Sequence, residues 1–230
     1  MPNILTIDWD YFFNASRKIR DSFPKISDGA LNSVPDNKLW LECPIKQVDA
    51  DKDSISLLEK ALSSPHPIFS FSFFSENHGE VLNAVEFIRK HIGDSSPLTI
   101  TNVDFHHDYS YNGGYTPRCD NWARILKEKE PDTEFKWCRR EDSVVTSFGE
   151  KVPIKRCYFI NVLRNIQSGV YDYVHLCRSD LYSPPKGDFL FDNLRSTIVK
   201  SSAGILNMET LSDRSDIEAQ MTNLYKENQA

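Results

Sequence analysis

Short apolar segments with strand character alternate with amphipathic helical segments along this chain. Strands are predicted over residues 3–8, 68–74, 98–103, 134–138 and 173–177. Helices are predicted over residues 54–63 (capped by Ser54), about 80–91, about 120–130, 153–168 and 188–200, and from 213 onward. Parallel strands need crossover connections, which helices usually supply. The alternation therefore indicates an α/β fold with three layers, α/β/α, around a mostly parallel sheet.

The length and composition indicate one globular domain. A chain of 230 residues supports one sizeable core, so residues 1–230 are predicted to form a single domain, with about 205–230 as a peripheral C-terminal helix and tail. The hydrophobic share of 40% and charged share of 26% are ordinary for soluble proteins. Five scattered cysteines without C-x-x-C spacing are predicted to be reduced thiols.

Charge and hydropathy exclude several classes of function. A formal net charge of −6 argues against nucleic-acid binding through a broad basic surface and slightly favours a cationic substrate. No apolar run approaches the ~20 residues that span a bilayer, so no membrane partner is expected. Because the N-terminus lacks the pattern of a signal peptide, we expect a cytoplasmic protein.

Residues suited to metal binding follow three of the predicted strands. They are Asp8 and Asp10 after the first strand, His78 after the second, and Asp104, His106 and Asp108 after the third. If the extended backbone persists, alternate residues of each Asp-x-Asp or Asp-x-His-x-Asp motif point to one side. A solvated polar turn is the alternative for each motif alone. Ligands of parallel α/β sheets bind at the carboxyl ends of the strands, so the recurrence at three strand ends favours a metal site.

The types of ligand indicate which metal would bind. Four carboxylates and two imidazoles are too rich in oxygen for a structural zinc site and too rich in nitrogen for calcium. Manganese suits them best, with iron, cobalt or zinc as substitutes. Six ligands can hold two ions, which would activate water for attack on a planar carbon such as that of an amide or a guanidinium.

Three motif stretches resemble those of a known enzyme superfamily. Ile7–Phe12 (Ile-Asp-Trp-Asp-Tyr-Phe), Glu76–Leu82 (Glu-Asn-His-Gly-Glu-Val-Leu) and Asp104–Asp108 (Asp-Phe-His-His-Asp) resemble the ureohydrolases, the arginase and deacetylase superfamily. They are most similar to a small arginase-like branch that includes peptide arginases. The resemblance implies an arginase-like fold and a manganese-dependent amidinohydrolase. Its substrate would be an arginine-containing precursor peptide that is made on the ribosome, in which arginine becomes ornithine with release of urea.

The resemblance also implies how the ligands divide between two Mn²⁺ ions. Asp104 and Asp8 would bridge both ions, His78 and Asp108 would complete one, and His106 and Asp10 would complete the other. One feature departs from the family pattern, because in arginases the Asp-x-Asp motif comes after the other two motifs and here it comes first. A rearranged strand order would restore the same site.

Three further residues are candidate catalytic groups. A guanidinium substrate needs a carboxylate partner, for which Glu76 and Asp180 are the candidates, with Asp120 behind them. His107 is the third catalytic candidate. The polar segment 14–53 and the aromatic segment 109–115 indicate an open site that admits a peptide. The alternatives are a deacetylase or other amide hydrolase with one zinc ion, and a metal-binding module without catalysis.

Overall fold

The computed structural model describes residues 1–24, 39–43, 48–63, 66, 68–93, 96–111, 114–147, 149–179, 182–207 and 211–227. Within these ranges the strands are β1 (Asn3–Asp8), β2 (Phe69–Ser75), β3 (Thr99–Val103), β4 (Glu134–Cys138), β5 (Thr146–Ser147), β6 (Glu150–Lys151), β7 (Lys155–Cys157), β8 (Tyr173–Cys177) and β9 (Ser202–Asn207). The α-helices are α1 (Arg17–Arg20), α2 (Leu39–Glu42), α3 (Lys52–Leu62), α4 (Val81–Phe87), α5 (Trp122–Lys129), α6 (Phe159–Gln167), α7 (Asp188–Lys200) and α8 (Ser215–Glu227). None of these helices is long and apolar enough to span a membrane.

Seven strands form one sheet in the order β7-β4-β3-β1-β8-β2-β9. All six pairings between neighbours in this sheet are parallel. Strands β5 and β6 form a separate antiparallel pair. Apolar side chains of α3, α6 and α7 pack on one face of the sheet, and those of α4 and α5 pack on the other. The predicted α/β class with a mostly parallel sheet is therefore confirmed.

The strand order creates a crevice at the centre of the sheet. Strands β1 and β3 are neighbours. The next long helix after β1, α3, lies on one face, whereas α5, which follows β3, lies on the other. The two connections therefore leave the carboxyl edge in opposite directions. Such a switch point is where open parallel sheets bind their ligands, and the motifs after β1 and β3 flank it.

The buried core lies on both faces of the central strand. In β1, Leu5 and Ile7 pack on one face of the sheet and Ile4 on the other, as the alternation of side chains along a strand requires. Directly after β1, the ring of Trp9 packs against Phe12 and Phe13 in the same core. The backbone that carries Asp8 and Asp10 is thus anchored by buried aromatic side chains on its other side.

Two sequence predictions of secondary structure were wrong. The helix predicted over residues 153–168 begins only at Phe159, and Lys155–Cys157 is an edge strand that pairs with β4. The apolar residues spaced for a helix lie within 159–166, so the segment before them is free to join the sheet. The cap of α3 is the side chain of Asp51, which accepts a hydrogen bond from the backbone N–H of the predicted cap, Ser54.

One strand was missed altogether. Strand β9 pairs in parallel with β2 at the edge of the sheet. Its sequence, Ser-Ala-Gly-Ile-Leu-Asn, lacks the apolar alternation of a strand. A Cβ atom at Gly204 would lie 2.6 Å from the ring of Phe71, so a larger residue there would displace that ring. The C-terminal segment, predicted to be peripheral, thus contributes an edge strand, and Ile217 and Met221 of α8 are also buried in the core.

Candidate metal centre

A buried imidazole nitrogen lies among three carboxylates at the crevice. His78 Nδ1 is 3.1 Å from an oxygen of Asp8, 3.1 Å from an oxygen of Asp104 and 2.9 Å from an oxygen of Asp108. All four side chains are at least nine-tenths buried. They come from the carboxyl ends of three different strands, β1, β2 and β3. Ligand atoms of Asp8, His78 and Asp104 lie close enough together to hold a metal ion, and Asp108 is beside them.

A second group of possible ligands shares Asp104 with the first. Asp10 Oδ2 lies 2.9 Å from His106 Nδ1, and Asp104 Oδ1 lies 3.9 Å from the same nitrogen. The other oxygen of Asp104, Oδ2, faces His78. Asp10, Asp104 and His106 have ligand atoms close enough to hold an ion together. The two oxygens of Asp104 thus face different histidines, which is the arrangement that a bridging carboxylate requires.

Tight turns bring these side chains together, and the predicted extended geometry of both motifs was wrong. Strand β3 ends at Val103, and Asp104 Oδ1 then accepts a hydrogen bond of 2.7 Å from the backbone N–H of His106. Asp8 likewise caps a 3₁₀ helix (Trp9–Phe12) by accepting a hydrogen bond from the N–H of Asp10. Aspartate favours such turns because its short side chain reaches the backbone two residues on.

Strained backbone marks the site. Among the described residues, the non-glycine residues with positive φ are Asp108 (φ 50°) and Ser179 (φ 52°). Asp108 belongs to the cluster around His78, and Ser179 donates a hydrogen bond of 2.7 Å to Asp8 Oδ2. Left-handed backbone is costly for residues with a Cβ atom and is concentrated at functional sites. Both strained residues therefore serve to place a side chain at the crevice.

The carboxylates of this cluster repel one another. Burial, together with the neighbouring charges of Asp10 and Asp104, raises the pKa of Asp8 to about 6. Burial and the charge of Asp108 raise the pKa of Asp104 to about 7. A bound cation would relieve this repulsion, because it favours the charged form of every carboxylate around it.

Burial and neighbouring charges also shift the pKa values of His78, His106 and Asp10. Burial lowers the pKa of His78, but the carboxylates around it outweigh burial and raise the pKa well above its ordinary value. For His106, burial is likewise outweighed, chiefly by Asp10, and the pKa rises to about 9. Burial raises the pKa of Asp10, but His106 and Arg20 together bring it below its ordinary value.

Several polar atoms of the cluster lack hydrogen bonds. His78 Nδ1 and both carboxylate oxygens of Asp10 are buried and make no hydrogen bond of normal geometry, although charged groups lie close to His78 Nδ1 and to Asp10 Oδ2. The carboxylates near His78 Nδ1 are within 3.1 Å, but they do not lie in hydrogen-bond geometry. Buried polar atoms are rarely left unsatisfied, and unmatched ones commonly mark the place of an ion. The donor set and its unsatisfied atoms therefore fit a divalent cation.

Neighbouring side chains hold the carboxylates in place. The indole Nε1 of Trp122 donates a hydrogen bond to Asp108 Oδ2. Asn102 Nδ2 donates one of 3.2 Å to Asp104 Oδ2. Arg20 lies 3.6 Å from Asp10 and is itself fixed by hydrogen bonds to the backbone carbonyls of Phe13 and Ala15. Such outer contacts orient metal ligands and tune their basicity.

A cavity of 420 Å³ opens from the cluster toward solvent. Its lining includes His106 and Asp108 from the turn after β3, together with Asp8 from the end of β1. Phe105 and Tyr182 supply aromatic surface. The size is in the usual range for the binding site of a small molecule or of one side chain.

The predicted catalytic residues lie in different surroundings. His107 lines the cavity, where burial lowers its pKa, and its Nδ1 accepts a hydrogen bond of 2.9 Å from the N–H of Tyr109. Asp120 also lines the cavity, next to Arg118. Asp180 lies outside the described residues. Glu76, in contrast, is buried in an internal ion pair.

The ion pair of Glu76 argues against its predicted role in substrate binding. Glu76 accepts hydrogen bonds from Arg178 on both carboxylate oxygens and a bond of 2.6 Å from the backbone N–H of Ser212. Arg178 also contacts Asp188, which pairs with the buried Arg214. This network ties the end of β2 to the C-terminal segment. The glutamate therefore has a structural partner and does not line the cavity.

Two buried residues of the site carried a signal in the sequence that was missed. Thr6 in β1 and His175 in β8 are polar residues inside apolar strands, and both are fully buried. Thr6 Oγ1 lies 2.7 Å from His78 Nε2 and 3.0 Å from His175 Nδ1. A histidine within an otherwise apolar strand is a recognisable exception to the rule that such strands bury only apolar side chains.

The metal-free protein is expected to lose stability as pH rises from about 6 to about 8.5. The pKa values of Asp104 (about 7) and His106 (about 9) exceed their ordinary values of 3.8 and 6.5, so the folded chain binds more protons than the unfolded chain in this range. We expect the melting temperature of chelator-treated protein to fall by at least about 3 °C over this range.

Added Mn²⁺ is expected to reverse this loss, and to raise the melting temperature more at the higher pH. Metal ligands must be deprotonated, so metal affinity rises with pH. Thermal unfolding at both pH values, with and without Mn²⁺, measures this. The variant His106→Ala should show a weaker pH dependence without metal. A metal-free protein that is more stable at about pH 8.5 would contradict the described charge cluster.

Comparisons of the whole chain with known proteins found no similar protein. No protein-family model matches the chain, and neither the curated proteins nor the solved structures contain a significant match.

Proposed function

We propose that this protein is a metal-dependent hydrolase that converts arginine within a peptide to ornithine and releases urea. The observation that carries the proposal is the pair of possible ligand groups that share Asp104, beside an open cavity that Asp8, His106 and Asp108 line. The reaction is balanced, because one water molecule and one arginine side chain yield one ornithine side chain and one urea. The resemblance of the three motif stretches to peptide arginases supports an arginine-containing peptide as the substrate.

The side chains of the two groups would hold two Mn²⁺ ions, with Asp104 between them. When bound, such ions lower the pKa of water and polarise the carbon that is attacked. Asp8, His78 and Asp108 would complete one ion, and Asp10 and His106 the other. Carboxylates suit Mn²⁺, and the four aspartates among the six candidate residues support the choice of metal.

The chain also offers groups that would bind the substrate. Asp120 is a carboxylate at the cavity, and its exposed fraction of 36% leaves it accessible to a guanidinium. The aromatic surface of Phe105 and Tyr182 would cover the aliphatic part of an arginine side chain. His107, which burial keeps neutral, lies at the same cavity and could accept or deliver a proton.

A substrate within a peptide is supported by the open cavity, because free arginine would need fixed partners for both its α-amine and its α-carboxylate. We infer that the natural substrate is an arginine-containing precursor peptide, modified in the cytoplasm. The free thiols of all five cysteines suit that reducing compartment.

One observation favours amide hydrolysis as a second candidate function. Arg20 is one of the residues that line the cavity, and its buried Nη1 atom lies 3.6 Å from Asp10 without a hydrogen bond. A fixed cation of this type stabilises the oxyanion that develops when an amide is attacked. No such oxyanion develops on a guanidinium carbon. A deacetylase that acts on acetylated lysine is therefore the alternative.

Direct measurement of the released products separates the two functions. Purified protein with Mn²⁺ is incubated with an arginine-containing peptide, with free arginine and with an acetyl-lysine peptide, and urea and acetate are quantified. We expect urea from the arginine peptide, with ornithine left in it. Conversion to ornithine removes CH₂N₂ and deacetylation removes C₂H₂O, which have the same nominal mass, so a low-resolution peptide mass is insufficient.

Each other outcome has a definite meaning. Urea from free arginine alone would contradict the peptide substrate. Acetate from the acetyl-lysine peptide without urea from any substrate would favour the amide hydrolase. Absence of both products, in a preparation that binds Mn²⁺, would favour a metal-binding module without catalysis.

A further inference from the structure

A chain of buried polar side chains lies behind His78, on the side away from the carboxylates. His78 Nε2 is 2.7 Å from Thr6 Oγ1, which is also 3.0 Å from His175 Nδ1. His175 Nε2 is 2.8 Å from Ser75 Oγ, and this hydroxyl donates a hydrogen bond of 3.0 Å to the carbonyl of Asn77. The residues come from the adjacent strands β1, β8 and β2, so the register of the sheet brings them together.

The number of protons on each of these side chains determines which group donates and which accepts in each hydrogen bond. Ser75 has one hydroxyl proton, which goes to the carbonyl of Asn77, so its oxygen accepts the Nε2 proton of His175. His175 is fully buried and is therefore neutral, so its Nδ1 has no proton and accepts a hydrogen bond from the hydroxyl of Thr6. The single hydroxyl proton of Thr6 is then engaged. Its oxygen therefore accepts a hydrogen bond from the Nε2–H group of His78.

We propose that Ser75, His175 and Thr6 form a hydrogen-bond relay that keeps the proton of His78 on Nε2 and presents the lone pair of Nδ1 to the metal ion. The inference rests on the proposed metal site and deepens it. Thr6, Ser75 and His175 are positioning residues in this relay, because they act through His78 and do not touch the ion.

The relay is needed because the carboxylates near Nδ1 of His78 favour the tautomer that carries its proton on Nδ1. Three carboxylates lie within 3.1 Å of Nδ1, and each of them attracts a proton to that nitrogen. A neutral imidazole with its proton on Nδ1 could not bind a metal ion there. The Thr6 oxygen can accept a hydrogen bond from His78 only when Nε2 carries the proton, so Thr6 favours the tautomer that binds metal. Partners of this type are worth about 10–100-fold in metal affinity.

The test compares three full-length variants by titration with Mn²⁺. Thr6→Val keeps the size of the side chain and removes the relay, so we expect Mn²⁺ to bind about 10–100-fold more weakly. Thr6→Ser keeps the hydroxyl and should bind within about threefold of the original protein. Thr99→Val is the matched control, because Thr99 is buried on the neighbouring strand β3 and its hydroxyl has no hydrogen-bond partner.

A second measurement reads the proton positions directly. Long-range ¹H–¹⁵N correlation spectra of the histidine rings should show His175 with its proton on Nε2, without metal and with Zn²⁺ as a diamagnetic probe. With Zn²⁺ bound, His78 should also carry its proton on Nε2. In Thr6→Val, thermal unfolding of the metal-free protein shows whether the fold is retained. If it is not, the proton position on His175 in the original protein decides whether the relay exists.

The outcomes separate the relay from the proposed function. Equal Mn²⁺ affinity of Thr6→Val and Thr99→Val would overturn the relay, as would a proton on Nδ1 of His175. If the original protein binds no Mn²⁺, the proposed function fails, and the ring-nitrogen shifts of His175 alone then decide whether the relay exists.

Discussion

Replacement of Asp104 by asparagine is expected to abolish turnover and to weaken Mn²⁺ binding by more than about 100-fold, because loss of an outer contact alone costs about 10–100-fold. The two oxygens of Asp104 face His78 and His106, so both ligand groups lose a member. An amide offers one oxygen and places a neutral NH₂ group where the second carboxylate oxygen would bind. Elemental analysis and the urea assay measure the two effects.

Two comparisons make the Asp104→Asn result specific. His106→Ala removes a ligand from the second group alone, so it should remove turnover and retain more bound metal than Asp104→Asn. Asp53→Asn, at an exposed position in the first turn of α3, should change neither.

The fold of Asp104→Asn should survive in the metal-free state. Burial and the charge of Asp108 raise the pKa of Asp104 to about 7. Removal of the negative charge at position 104 therefore relieves repulsion in the folded chain. We expect metal-free Asp104→Asn to melt no lower than metal-free original protein. Normal activity and metal content in this variant would show that the cluster is not the metal centre.

Replacement of Glu76 by alanine is expected to destabilise the protein by about 3–5 kcal/mol, the usual cost of removing one partner of a buried ion pair. Arg178 would remain buried without its bidentate carboxylate partner, although it keeps its contacts with Asp188 and Ser212. Chemical denaturation measures the loss. Glu86→Ala, at an exposed position of α4, is the matched control and should change stability little.

Asp120→Asn is expected to behave in the opposite way to Glu76→Ala. It should raise KM by about 10–100-fold, the range set by loss of a charge-assisted bond of about 1.5–3 kcal/mol, without loss of stability or of bound metal. Steady-state urea release from the arginine peptide measures this. A raised KM in Glu76→Ala at full stability, with unchanged kinetics in Asp120→Asn, would reverse the assignment of the two carboxylates.

Much of the fold was predictable because its signals are local. Five of the seven strands of the sheet and the α/β class follow from apolar runs that alternate with helical periodicity. Strands β7 and β9 were not predicted from the sequence, and both lie at the edges of the sheet. An edge strand such as Ser202–Asn207 is defined by its backbone pairing with β2, and its side chains carry little periodicity.

The six candidate ligands were identifiable from the sequence because each one follows an apolar strand, and the structure brings all six side chains together. Their local geometry was not identifiable. The predicted extended backbone gives way to tight turns, in which Asp104 and Asp8 bond to backbone N–H groups and Asp108 takes a left-handed conformation. Sequence alternation describes strands, and it does not extend past the residue where a strand ends.

The sequence by itself determined the class of the fold, the carboxyl edge at which the candidate site lies and the types of side chain that meet there. These depend on periodicity and on the chemistry of residues that are near one another in the chain. The tertiary structure alone decided which partners those side chains find. The order β3-β1-β8-β2 brings Thr6 and His175 behind His78, and it allows Arg178, at the end of β8, to pair with Glu76 across 102 positions of sequence. Such contacts depend on strand order and register, which are set by the packing of the whole sheet and have no local signal in the chain.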